Sequence, residues 1–251
     1  MLPIGDDNRD RTITPLVNYL LIAANILVFV FLQGLGSNAR FTYAFSTIPQ
    51  EIVTGEDVVT RGRVVEDPAT GYELEIPGLQ RTPISVYITL LTSMFMHGGI
   101  AHLLGNMLFL WIFGDNVENA VGHARYVAFY LLTGLLASLA HVFTTVALGQ
   151  NPLVPSLGAS GAISGVLGGY LLLFPQRRVT VLLLRMVTTV PAIVAIGMWF
   201  AFQLVNGLGM LGARSAQGGV AYAAHIGGFV AGLVLVKVFA AGRRTTRLAL
   251  P

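Results

Sequence analysis

Gly158-Ala-Ser-Gly-Ala-Ile-Ser-Gly165 stands at the entry to an apolar run that continues to Phe174. Further along, Ala224-His225-Ile-Gly-Gly228 stands at the entry to a second such run. A serine hydroxyl and an imidazole, each ringed by small residues inside lipid-compatible sequence, point to a nucleophile and a base held close together. No acidic residue follows Glu118, so the pair has to work without a nearby carboxylate.

The surrounding composition agrees with a membrane setting. Of 251 residues, 54% are apolar and only 11% charged, against about 25% charged in a soluble domain. The mean hydropathy is +0.71. Apolar runs of about twenty residues match the length needed to cross a bilayer. We read six of them, roughly at 15–33, 99–117, 124–147, 159–174, 187–206 and 220–241. The class is therefore an all-α membrane protein, a six-transmembrane-helix bundle forming one domain over 1–251. Residues 1–14 and 242–251 are expected as cytoplasmic tails. The 34–96 segment is expected as a long extracytoplasmic loop between the first two spans, with short inserted helices around Pro83–Met96. Such a long connection is usually functional or carries structure of its own, and it holds seven of the twelve acidic residues.

Charge sets the expected orientation. The net charge of +3 comes from clustered arginines and reads as topology, not nucleic-acid affinity. One side receives Arg9, Arg11, Arg125, Arg177, Arg178, Arg185, Lys237, Arg243, Arg244 and Arg247; the other receives Arg40, Arg61, Arg63, Arg81 and Arg214. The richer side is the inner one. The acidic N-terminus is not expected to act as a signal peptide, and the short ends lead us to expect a prokaryotic plasma membrane with both termini cytoplasmic. A mitochondrial inner-membrane protein trimmed of its presequence is the alternative. With no cysteine, disulfides, thiol nucleophiles and thiolate metal sites are excluded.

In that topology spans two, four and six run the same way, outside to inside. His102 and Asn106 come early in span two, Ser160 in span four and His225 in span six, each within roughly 10 Å of the outer boundary at ~1.5 Å per residue. Bringing Ser160 within about 3 Å of His225 needs close backbone packing. The steps Gly161-x-x-x-Gly165 and Gly228-x-x-x-Gly232 supply it. His225 is then general base and acid, while His102 and Asn106, four apart on one helix face, and the Ser160 amide can serve an oxyanion. Rival chemistries fail on spacing. No His-Glu-x-x-His occurs, Asp115 and Glu118 lie at the inner end of one helix, and Ala162 breaks the Gly-x-Ser-x-Gly elbow.

His97-Gly-Gly-Ile-Ala-His102-Leu-Leu-Gly-Asn106-Met, Phe113-Gly-Asp-Asn-Val-Glu118, Gly158-Ala-Ser160-Gly and Ala224-His225-Ile-Gly-Gly228 together resemble the rhomboid family of intramembrane serine proteases. The match covers about residues 13–241. The resemblance implies a serine endopeptidase with Ser160 as nucleophile and His225 as base. It places His102, Asn106 and the Ser160 amide in the oxyanion hole and Gly158 in the loop closing it. It implies transmembrane protein substrates within the lipid bilayer, cut near the outer face, with no metal, nucleotide or nucleic acid. Two departures stand out. Ser164 occupies the position where some relatives stack a tyrosine on the base, which leaves Tyr222 or Phe229 to orient His225. The Trp-Arg pair of many relatives' first loop is also absent, with Arg81-Thr-Pro or Phe95 as candidates for its role. Glu118 is expected to tie the inner end of span two to its neighbours, although Ala120 replaces a common arginine. His97 is expected as a structural loop histidine that hydrogen-bonds near the site, and His123 and His141 as interface residues. Trp199, Phe200 and Phe202 on span five could line a lateral entrance, and the 206–219 segment could cap the site. A silent relative that only binds clients usually lacks Ser or His, whereas this chain keeps both. A proton transporter built on His102 and His225 has no inverted repeat to support it.

Overall fold

The N-terminus is a strand, β1 (Leu2–Asp6), leading into helix α1 (Leu16–Leu27) and a π-type turn at Val28–Leu32. The structure is a computed structural model that describes residues 1–66, 71, 73–211 and 222–242. Two short helices follow, α2 (Ala39–Phe45) and α3 (Pro49–Thr54), then a hairpin of β2 (Arg63–Glu66) and β3 (Glu73–Ile76), then α4 (Thr89–Thr92). The long helices α5 (Ile100–Val121) and α6 (His123–Ala147) precede α7 (Ser160–Leu173). Strands β4 (Arg178–Leu183) and β5 (Met186–Pro191) lead to α8 (Ala192–Leu211) and α9 (Tyr222–Ala240). Among the described residues, α5, α6 and α9 are each long and apolar enough to cross a membrane. Leu16–Leu32, Val86–Phe95, Ser160–Leu173 and Ala192–Leu208 are shorter apolar helices.

The chain is mostly helical, but the all-α expectation needs correcting. β1, β4 and β5 form an antiparallel sheet in that order. Val179, Thr180 and Val181 face Val190, Thr189 and Thr188 across the β4–β5 pair, β-branched residues that fit a pleated surface. The turn between them puts Leu184 at φ 56. The fifth apolar run therefore becomes helical only at Ala192, since Val187–Pro191 lie in β5. The first fourteen residues are likewise no free tail.

What docks them is a polar clasp at the C-terminal ends of α5 and α7. Tyr170 Oη donates to Asp6 at 2.6 Å, and Asn116 Nδ2 donates to the same carboxylate at 2.7 Å. Arg11 pairs with Asp115 at 2.8 Å, and Arg177 pairs with Asp10. Glu118, fully buried, accepts the backbone N–H groups of Val17 at 3.0 Å and Asn18 at 2.7 Å. Those amides open α1 and have no partner within it, and a carboxylate there also suits the positive end of the helix dipole. His123 contacts the same carboxylate. Glu118 thus ties α5 to α1.

The helices at the centre meet through glycine. A Cβ built on Gly228 would strike the carbonyl of Gly161, and one on Gly232 would strike the carbonyl of Gly165. A Cβ on Gly161 would come within 2.7 Å of Ala137 Cβ on α6. α6, α7 and α9 consequently pack on one another as a three-helix cluster, with α9 lying against α7 backbone to backbone.

The clasp has a pH consequence. Burial pushes the Asp6 carboxyl up from 3.8 to about 7, against the opposing hydrogen bonds from Tyr170 and Asn116. The folded state therefore holds a proton that the unfolded chain releases at lower pH. Stability from this group is present in full below the unfolded value and is lost as pH rises through about 7. Thermal unfolding between about pH 5 and 8 should show the wild-type midpoint falling relative to Asp6→Asn, which loses that component of the slope.

Candidate active site

Ser160 is the first residue of α7, and His225 lies one turn into α9. The glycine contacts between the two helices bring Ser160 Oγ to 2.8 Å from His225 Nε2. His225 is buried and Ser160 half-buried. Both face a cavity of about 540 Å³, which His102 and Asn106 of α5 also line, with His141 of α6 and Trp199 of α8. Among the described residues that line it there is no Asp, Glu, Lys or Arg.

His102 Nδ1 accepts a hydrogen bond from the Gly98 N–H at 3.3 Å. An imidazole that accepts through Nδ1 carries its own proton on Nε2, so His102 is a donor toward the cavity. Asn106 Nδ2 is buried and has no hydrogen-bond partner. An orphaned donor of this kind in a buried polar cluster calls for explanation, and an anionic oxygen in the cavity would supply one. The Ser160 N–H, at the start of its helix, has no carbonyl in a preceding turn to bond.

Gly158 sits at φ +130, a region that side chains rarely adopt, and a Cβ there would fall 2.9 Å from His102 Cε1 and 3.0 Å from Nε2. Its own N–H is spent on the Ser93 carbonyl at 2.9 Å. Ser93, together with Thr47, pins the loop before Ser160. Thr47 and Ser156 exchange both backbone hydrogen bonds, at 3.0 and 2.8 Å, and Thr47 Oγ1 meets Ser93 Oγ at 2.9 Å. Part of the 34–96 segment therefore shapes the site's rim.

The remaining sequence candidates distribute unevenly. Ser164 does not reach His225; its hydroxyl donates back to the Ser160 carbonyl at 2.6 Å. Tyr222 lies edge-on to His225 at 6.5 Å, while Phe229 stacks on Phe200 at 4.0 Å. Trp199 covers His225 at 6.1 Å, and Phe202 is exposed. Arg81 is exposed, and Phe95 packs against the core. His97 is buried, and its ring nitrogens have no partner. His97, expected to hydrogen-bond near the site, does so through its backbone, which Gln33 clamps at 2.8 and 2.9 Å. His141, expected as an interface residue, is among those that line the cavity. Of the 206–219 segment, residues 212–219 lie outside the described residues, as do Arg243, Arg244 and Arg247.

One residue was missed. Gln203 of α8 places Oε1 at 2.8 Å from His225 Nδ1, and both side chains are buried. The signal was present: Gln203 is the only polar side chain between Ala192 and Val205, and a polar group in such a run marks helix–helix contact or function.

A family model described as the Rhomboid domain matches residues 85–242, a stretch that contains every residue of this cavity. The chain belongs to the rhomboid family. Over 156 residues it is 33% identical to Rhomboid protein 1, mitochondrial, of Saccharomyces cerevisiae, covering 62% of this chain and 43% of that protein. It is 30% identical to the human Presenilin-associated rhomboid-like protein, mitochondrial, covering 63% of this chain and 42% of the relative. Rhomboid protease GluP of Bacillus subtilis is 29% identical over 239 residues, 92% of this chain and 37% of that protein. The chain thus spans less than half the length of these rhomboid relatives. The expectation of a prokaryotic plasma membrane is overturned here, because the yeast and human relatives, at 33% and 30% identity, are mitochondrial by name.

Gly158→Ala tests the rim. The substitution adds about 1–3 kcal/mol of local backbone strain and drives a methyl into His102. Turnover should fall by about tenfold or more, and the thermal midpoint should drop by no more than the few degrees that strain of this size accounts for.

Proposed function

We propose that this rhomboid is an intramembrane serine endopeptidase that cleaves transmembrane-segment substrates through a Ser-His dyad and an acyl-enzyme. The observation that carries this reading is the 2.8 Å contact between Ser160 Oγ and His225 Nε2 in a cavity inside the helical bundle. The serine hydroxyl attacks the scissile carbonyl as its proton passes to Nε2; the imidazolium then protonates the leaving amine, and water repeats the sequence on the acyl-enzyme. Negative charge that develops on the carbonyl oxygen meets donors from Asn106 Nδ2, the Ser160 N–H and His102 Nε2, with Gly158 keeping room for the His102 ring.

In this reading α1, α5, α6, α7, α8 and α9 are the six membrane-spanning helices. α7 has 14 residues, about 21 Å of helix at ~1.5 Å per residue, against a hydrocarbon core of ~30 Å. Ser160 therefore sits below the surface with irregular chain above it. Such backbone is tolerated at membrane depth only where protein or a water-filled cavity surrounds it, and hydrolysis needs that water. The described part of 34–96 that meets the site, at Thr47 and Ser93, lies on the face nearest to it. The chain forms one domain, the glycine pairs at 161/228 and 165/232 hold the dyad helices together, and substrates are transmembrane proteins of the surrounding bilayer. The mitochondrial relatives favour a mitochondrial membrane as its location.

The test is proteolysis of a fluorogenic transmembrane substrate by the purified chain in liposomes. Ser160→Ala and His225→Ala should each abolish cleavage, and cleavage that survives Ser160→Ala would sink the assignment. Asn106→Ala should lower kcat by about 10²–10³ with KM little changed. Equal losses in binding and turnover would place Asn106 in packing instead.

A further inference from the structure

A neutral imidazole carries one proton, on either Nδ1 or Nε2. His225 can receive the Ser160 proton only if Nε2 is bare, which requires the hydrogen on Nδ1. In water that N–H finds a partner anywhere. In a buried site it needs a built acceptor, and no carboxylate follows Glu118 in this chain. Gln203 supplies one: Oε1 lies 2.8 Å from Nδ1. With the amide oxygen accepting from Nδ1–H, the Nε2 lone pair faces the serine hydroxyl, 2.8 Å away.

Resting on the dyad reading above, we propose that Gln203 is a positioning residue of the dyad, fixing the tautomer and ring orientation of His225 from α8. A neutral amide here occupies the place that a carboxylate takes in a three-residue arrangement. It also strengthens its grip as the ring gains charge, because hydrogen bonds to ionised groups are the stronger ones. Ser164, at the position where some relatives carry tyrosine, is turned away onto the Ser160 carbonyl, so the orienting contact comes from another helix. α8 rests on α9 through side chains, Trp199 beside His225 and Phe200 stacked on Phe229. α7 and α9, by contrast, meet backbone to backbone. Alignment of the base thus depends on α8 lying against α9.

The experiment compares the full chain in liposomes with Gln203→Met and Gln203→Glu. Methionine keeps the length and shape without an acceptor, whereas glutamate keeps the acceptor. Two readouts are needed: kcat and KM on a transmembrane substrate, and the rate at which a fluorophosphonate labels Ser160. Gln203→Met should lower kcat and labelling about ten- to a hundredfold, with KM within about twofold. Gln203→Glu should stay closer to wild type in both. A methionine variant within about threefold of wild type, or a glutamate variant that falls as far as methionine, overturns the role of Gln203 and leaves the dyad standing. A wild-type chain that neither cleaves nor labels overturns the dyad, and this proposal with it.

Discussion

Everything at the centre of this molecule depends on two helices touching without side chains between them. Gly228 and Gly232 of α9 lie on the carbonyls of Gly161 and Gly165 of α7, where even a methyl has no room. Lipid offers no hydrophobic drive for two apolar helices to associate, so close van der Waals approach is what holds them. That approach sets the Ser160–His225 distance, because each side chain leaves its helix within a turn of a glycine contact. A side chain at any of these glycines would separate the two groups before it changed either one.

The second constraint is local to the loop before Ser160. Its irregular backbone would be costly at membrane depth if left unpaired. The Thr47–Ser156 exchange and the Gly158–Ser93 bond satisfy it. Thr47 and Ser93, from the long polar stretch before α5, thereby brace the rim of the site. At the opposite end Glu118 and the Asp6–Tyr170 contact close the bundle. The ends of the bundle are therefore held by polar groups and its middle by close packing, leaving the cavity between them lined by neutral groups and imidazoles.

Much of this could be read from residues alone. The apolar runs marked the helices, because the hydrophobic length needed in a bilayer leaves an unbroken signal. The Gly-x-x-x-Gly steps and the matched entry positions of His102, Asn106, Ser160 and His225 marked the residues that now line one cavity. The small sheet was less legible. β4 and β5 are short, and the uncharged strand Met186–Pro191 runs straight into the apolar α8, so no charged break separates strand from helix. β1 is five residues whose partner lies far along the chain, and no local pattern announces a long-range pairing.

Composition and motif order by themselves marked a membrane protein that resembles the rhomboids, with a serine and a histidine at the entries of two apolar runs and no carboxylate after Glu118. Such features are local: hydropathy, small residues at helical intervals, and the order of motifs. Only the tertiary structure decided what stands behind the histidine. Gln203 reaches it from α8, and Tyr222, Phe229 and Ser164 do not take that place. The contact depends on the rotation and tilt of one helix against another, which side-chain packing sets and sequence spacing leaves open.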